Sequence, residues 1–234
     1  AICSYMITEK GLHTFVKLNP TLLGYETVRK TLDNLGYSYV TVKRESFEND
    51  LKYPDAVAML QRLIQKADEC SLGFGVKLTN TLGTVNNQGS LPGEEMYMSG
   101  RALYPLSIQL AAKLSLDFSG KLPISYSGGA NAVNVKEIFE TGIRPITVAT
   151  DLLKPGGYSR LNVMAALCES SKSWSMQYID TDKLSKLAET AVSDFNFHKD
   201  KRGFNKVHVD DDLPLTDCYI APCVQACPIH QDVP

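Results

Sequence analysis

The chain of 234 residues is predicted to be an α/β protein in which βα units build a parallel sheet or barrel. Three observations carry this. From residue 13 onward short apolar runs alternate with amphipathic stretches, glycines stand just past several of those stretches, and the composition turns polar and aperiodic near residue 195, ahead of a cysteine cluster.

Residues 1–10 read as the tail of a helix already under way, and with Ala1 in place of a Met the chain reads as cut at both ends. Strands are expected over 13–18 (HTFVKL), 37–43 (YSYVTVK), 73–79 (GFGVKLT), 122–127 (LPISYS) and 145–150 (PITVAT), each suited to a pleated, half-buried surface. Helices are expected near 26–35, 54–70, 102–117 and 134–141, and two more follow the last strand near 157–170 and 181–194. Gly11, Gly36 and Gly142 fall where a left-handed cap residue is wanted, and Asn134 suits the N-cap of a helix with Glu137 in its first turn. The segment 15–22 (FVKLNPTL) echoes 75–82 (GVKLTNTL), as a repeated βα unit would. Residues 1–195 are therefore assigned to the barrel-like part, 196–216 to a polar linker and 217–234 to a separate cysteine-bearing segment.

Bulk chemistry narrows the function. With 44% hydrophobic and 21% charged residues and a net charge of −2, the chain is an ordinary globular one and has no basic block for nucleic acid. No apolar run approaches the roughly 18 residues that a spanning helix needs, and no stretch reads as a signal peptide. Cys3, Cys70 and Cys168 stand singly on expected helices, which fits a reducing cytoplasm better than a disulfide framework.

Active sites of (β/α) barrels lie at the C-terminal ends of the strands, so the residues there are the first candidates. Lys17, Lys43 and Lys77 fall at or near such ends, where an inward ammonium needs an anionic or electron-rich partner and an outward one reaches water. The glycine-rich stretch 80–101, with Asn80 and Thr81 at its start, is long enough for a lid or binding loop. Gly128-Gly129 follows the fourth strand and allows backbone amides close to a phosphate, while Thr150 closes the fifth strand beside it. Asp151 is out of keeping with a phosphate and is expected to cap or to hold Arg144 or Lys154. Cys218, Cys223 and Cys227, with Pro228 next, are spaced as C-x4-C-x3-C-P, which suits cluster ligation better than zinc with His230 or a disulfide.

With these residues in view the chain resembles the selenate reductase iron-sulfur subunits, large bacterial oxidoreductases that join a dihydroorotate dehydrogenase-like barrel to a glutamate-synthase-type iron-sulfur and dinucleotide-binding half. The resemblance rests on EKGLHTFVKLNPTLLGYETV, SLGFGVKLTNTLGTVNNQGSLPGEEMYMSGRALYPLS, KLPISYSGGA, TGIRPITVATDLLKPGGY and DLPLTDCYIAPCVQACPIHQDVP. More distantly it is similar to dihydropyrimidine dehydrogenase. The resemblance implies the C-terminal part of a (β/α)8 TIM-type barrel followed by the start of an α-helical iron-sulfur domain. FMN is then the candidate barrel cofactor, with Lys17 or Lys77 against the flavin ring, Asn80 and Thr81 on flavin or substrate edges, and Gly128, Gly129 and Thr150 around the flavin phosphate. It also implies a 4Fe-4S cluster held in part by Cys218, Cys223 and Cys227 and completed outside this chain. Leu215 stands where the family has a further cysteine. FAD and NAD(P) are expected only downstream. The implied role is electron transfer to a small-molecule substrate or to partner subunits of an oxidoreductase complex, for which molybdenum is a candidate metal. A cofactor-free barrel serving as a scaffold is the alternative.

Overall fold

Along 73–79, Val76 and Leu78 alternate with Gly75 and Lys77, and in the computed structural model, which describes residues 1–87 and 92–199, this alternation becomes the middle strand of a parallel sheet. The elements in order are α1 (Ile2–Thr8), β1 (Thr14–Leu18), α2 (Tyr25–Asn34), α3 (Arg44–Asn49), α4 (Tyr53–Glu69), β2 (Phe74–Leu78), β3 (Leu82–Val85), β4 (Glu95–Met98), α5 (Tyr104–Asp117), β5 (Ile124–Tyr126), α6 (Val135–Glu140), α7 (Ser159–Glu169) and α8 (Thr181–Ala191). Single 3-10 turns at Pro20–Leu23 and Gly100–Leu103 follow β1 and the hairpin β3–β4, and another at Thr150–Leu153 follows residues 145–149. The fold is mixed α/β with helices dominating.

The sheet runs β1-β2-β5, all parallel, and Tyr126 makes one further parallel bridge to Ile146. Lys17 lies opposite Lys77 and Leu18 opposite Leu78, so the two echoing segments run side by side in register. One face of the sheet is closed. Val76 and Leu78 are fully buried there, with α4 and α5 in contact with β2. α5 carries Leu106, Ile108, Leu110 and Leu114, all fully buried, and it also packs on α8. The first two turns of α5 are buried on nearly every side, and its exposed positions, Lys113, Leu116 and Asp117, fall toward its end. The other face carries Phe15, Lys17, Gly75 and Lys77, and Phe15 remains 46% exposed. A Cβ on Gly75 would lie 2.5 Å from the Phe15 ring and 2.7 Å from the Pro123 carbonyl, so glycine is what lets the Phe15 ring lie across β2.

The expected helices are present within a few residues of their predicted bounds, and Gly11, Gly36 and Gly142 all have positive φ. Three expectations need correction. Residues 37–43 form no strand, because Arg29 on α2 donates from Nη1 to the Val40 carbonyl at 2.6 Å and from Nη2 to the Tyr37 carbonyl at 3.0 Å. Those carbonyls are thereby withheld from a ladder, while Tyr37 and Val42 bury their side chains. Residues 145–150 supply only the bridge at Ile146 before the chain turns into Thr150–Leu153. Asn134 does precede α6, but its side chain does not cap that helix.

Three elements were not expected. The loop 80–101 contains the antiparallel hairpin β3–β4, running from Leu82 opposite Met98 to Val85 opposite Glu95. α3 follows residues 37–43. Cys3, Cys70 and Cys168 are free thiols, and among the described residues no helix is long and apolar enough to cross a membrane. The described residues belong to one unit, residues 1–201. Residues 202–234, and with them Cys218, Cys223 and Cys227, lie outside the described residues.

Because Arg29 also reaches Asp33 from Nε at 3.1 Å, one planar guanidinium serves three acceptors in a geometry that lysine cannot copy. Arg29→Lys should therefore loosen residues 37–42 locally. Loss of about 1–3 kcal/mol of charge-assisted hydrogen bonding predicts amide exchange about 5- to 150-fold faster in that segment of the full-length protein, read by mass spectrometry.

Candidate functional site

The ladder bonds of the sheet continue past the strand ends and gather three loops. The Thr79 N–H donates to the Ser127 carbonyl at 2.9 Å, the Ser127 N–H to the Leu78 carbonyl, and the Asn80 N–H to the Leu18 carbonyl at 2.8 Å. A cavity of about 220 Å³ opens where these loops meet, at the C-terminal ends of the strands, with Lys17, Thr79, Gly128, Gly129, Ala149 and Thr150 among its lining residues. This is the end at which parallel βα units place their chemistry.

The floor depends on missing side chains. A Cβ on Gly128 would stand 2.2 Å from Ser107 Oγ, and one on Gly129 would stand 2.2 Å from the Gly100 carbonyl oxygen. Gly129 also has φ of +76°, in the left-handed region that favours glycine. The turn after β5 can press on the start of α5 only because both positions lack a side chain. Polar groups beneath it are paired: Thr79 Oγ1 and Ser107 Oγ are 2.7 Å apart, and the buried Tyr126 hydroxyl donates to the Gly128 carbonyl at 2.9 Å.

Asp151 is 4% exposed at the edge of the cavity. It accepts from Lys154 Nζ at 2.8 Å and from Arg160 Nε at 2.8 Å, with Arg160 Nη2 at 3.2 Å. Burial by itself would raise its carboxyl, but the hydrogen bonds from Arg160 and Lys154 outweigh this and hold it below the usual aspartate range. Of the two partners expected for Asp151, Lys154 is present and Arg144 is not. Arg144 donates instead to the carbonyls of Ser173 and Trp174 and lies over the Phe139 ring.

Five expected site residues, Lys17, Thr81, Gly128, Gly129 and Thr150, line the cavity together. Lys77 does not line it, although its Nζ is 3.4 Å from Oγ1 of the lining residue Thr147. Asn80 does not line it either. Its Nδ2 donates to Asn19 Oδ1 at 2.6 Å, and Asn19 in turn donates to Asp50 Oδ2 at 2.7 Å. Lys43 pairs with Glu95 at 3.2 Å on the hairpin, away from the cavity. Gly100 and Arg101, at the end of the stretch 80–101 expected to be a lid or binding loop, also line the cavity, and Asn131 and Thr147 line it too but were not singled out. The place of Asn131 two residues past Gly129 was the available signal for the first of these. Among the described residues no group of His, Cys, Asp or Glu could hold a metal ion.

Comparison with known proteins agrees with this architecture. Two relatives in Escherichia coli, from strains K12 and O157:H7, each named "Putative oxidoreductase YgfK", are 60% identical over all 234 residues. The chain spans 23% of the length of each. Oxidoreductase is the term these names share with the expected family, and the selenate reductase, flavin and iron-sulfur parts of that expectation go beyond them. The family model described as oxidoreductase YgfK, N-terminal TIM-barrel domain, matches residues 1–199, and the chain belongs to that family.

Proposed function

We propose that this chain is the barrel portion of an oxidoreductase, that the cavity at its strand ends receives the phosphate end of FMN, and that Cys218, Cys223 and Cys227 contribute ligands to an iron-sulfur cluster. The glycine turn carries the reading. Gly128 and Gly129 leave backbone where two side chains would collide, and Lys17 brings an ammonium to the same cavity. Backbone amides with a nearby cation are a general way to seat a phosphate.

FMN bound there would supply the two-electron redox chemistry. The residues of the chain do the rest. Lys17 would offset negative charge on the ring or phosphate, and Thr81 and Thr150 would donate or accept at the rim. Lys77, in register with Lys17 and on the same side of the sheet, would extend the positive field along the open face toward Phe15. Asn80 would act at one remove, through Asn19, rather than by contact. A bare carboxylate next to Thr150 would repel a phosphate and favour the scaffold alternative, but Lys154 and Arg160 neutralise Asp151. Electrons would leave through the cysteine-bound cluster toward FAD and NAD(P) sites farther along the longer polypeptide, or toward partner subunits.

Denatured full-length protein is expected to release FMN in stoichiometric amount, and Gly128→Val, whose side chain would meet Ser107, should abolish it while the cluster absorbance persists. A colourless wild-type barrel with intact cluster absorbance would support the scaffold instead. Anaerobically reconstituted Cys223→Ala should lose part of the visible cluster absorbance and iron, and unchanged iron content would remove that residue from the ligand set. For Asp151→Asn, the loss of a buried charge partner predicts amide exchange about tenfold or more faster over 149–160. The pH dependence has a definite sign. A depressed folded-state value makes the Asp151 contribution complete above the ordinary aspartate range near pH ~4 and lost as pH falls through the folded value, a step that Asp151→Asn should lack.

A further inference from the structure

The turn after β5 holds two consecutive carbonyls by side-chain donors. The Tyr126 hydroxyl donates to the Gly128 carbonyl at 2.9 Å. Asn131 Nδ2 at 3.1 Å and Asn134 Nδ2 at 3.2 Å both donate to the Gly129 carbonyl. The peptides on either side of Gly129 are trans, since the cis bonds among the described residues are Leu78–Thr79 and Arg144–Pro145. In a trans peptide the N–H points opposite to the C=O. Holding the Gly128 and Gly129 carbonyls therefore aims the N–H groups of Gly129 and Ala130 away from Tyr126, Asn131 and Asn134.

Both of those residues line the cavity. Among the described residues neither N–H donates to a protein acceptor, although Ala130 is only 4% exposed. A buried backbone donor without a partner is rare, so the Ala130 N–H, with the half-buried Gly129 N–H beside it, calls for an acceptor in the cavity. The amide orientations are also determined. Asn134 Oδ1 accepts from the Asn131 N–H at 2.9 Å and Asn131 Oδ1 accepts from the Val133 N–H at 2.8 Å, which leaves each NH2 group to face Gly129. Burial, with the Tyr104 phenol adding to it, pushes the Tyr126 phenol well above its ordinary range, so it remains a donor throughout the working pH range.

We infer that Tyr126, Asn131 and Asn134 are positioning residues that aim the Gly129 and Ala130 amides at a phosphate group seated in the cavity. The inference deepens the FMN reading and rests on it for the identity of the ligand, while the direction of the two amides rests on the hydrogen bonds alone. Asn134 is thereby given a task in place of helix capping. Its position before α6 serves the turn behind it.

The test uses full-length protein stripped of flavin and titrated calorimetrically with FMN, riboflavin and inorganic phosphate. Tyr126→Phe and Asn134→Ala are compared with wild type, and the second variant removes a donor without opening the centre of the sheet. Wild type is expected to prefer FMN over riboflavin, and each variant to lose about tenfold of that preference while riboflavin affinity changes less than about twofold. A purely structural role would weaken both flavins alike, so an unchanged FMN-to-riboflavin ratio in both variants overturns the assignment and leaves the FMN reading standing. Wild type that binds inorganic phosphate, more weakly in the variants, but not FMN would overturn the cofactor reading and keep the cradle. Wild type that binds neither FMN nor phosphate overturns both.

Discussion

The pairing of β2 on both edges is the constraint from which the rest follows. A parallel strand presents two rows of backbone groups that must be satisfied, and β1 and β5 take one row each. Its alternate residues Val76 and Leu78 are buried against α4 and α5, so a slip of one residue would drive Lys77 into that core. Register is thereby specified, and the ladder bonds that run on through Thr79, Asn80 and Ser127 fix where the loops leave the sheet. The cavity is the space these loops cannot avoid leaving.

Charge at the strand ends is arranged by the same logic. Asp151 sits almost fully buried beside the cavity, yet Lys154 and Arg160 occupy its oxygens, so its field is answered locally. Asp50 does similar work on the other side of the sheet. It accepts from Thr21, Asn19 and the Leu51 N–H, and through Asn19 it reaches Asn80. Burial would raise the Asp50 carboxyl, but the hydrogen bonds from Thr21 and Asn19 hold it below its ordinary range. Asp50 ties its loop to the end of β1, Asp151 ties the 3-10 turn at Thr150–Leu153 to α7, and Lys17 remains at the cavity.

Legibility in the sequence followed the range of the interaction that decides each feature. The helices were readable because their apolar period is local, and Gly128-Gly129 with Thr150 could be placed because strand ends in parallel sheets share one side. The segment 37–43 was misread, since alternation in YSYVTVK suits a strand as well as an extended coil, and the choice fell to Arg29 several residues away. The hairpin β3–β4 was hidden in a glycine-rich stretch that reads as loop. Asn80 had the right address at a strand end, but a lateral bond to Asn19, just past the end of the neighbouring strand β1, turned it from the cavity.

By itself the sequence determined the α/β class, the helices, the family resemblance and the lysine and glycine positions at the strand ends, because periodicity, turn chemistry and motif spacing are written within a few residues. Only the tertiary structure decided that 37–43 leaves the sheet, that Asp151 is neutralised by Arg160 nine positions on, and that Tyr126, Asn131 and Asn134 fix the glycine turn. Those outcomes depend on which donor lies next to which carbonyl once distant segments are packed together, and a hydrogen bond across the fold leaves no period in the chain.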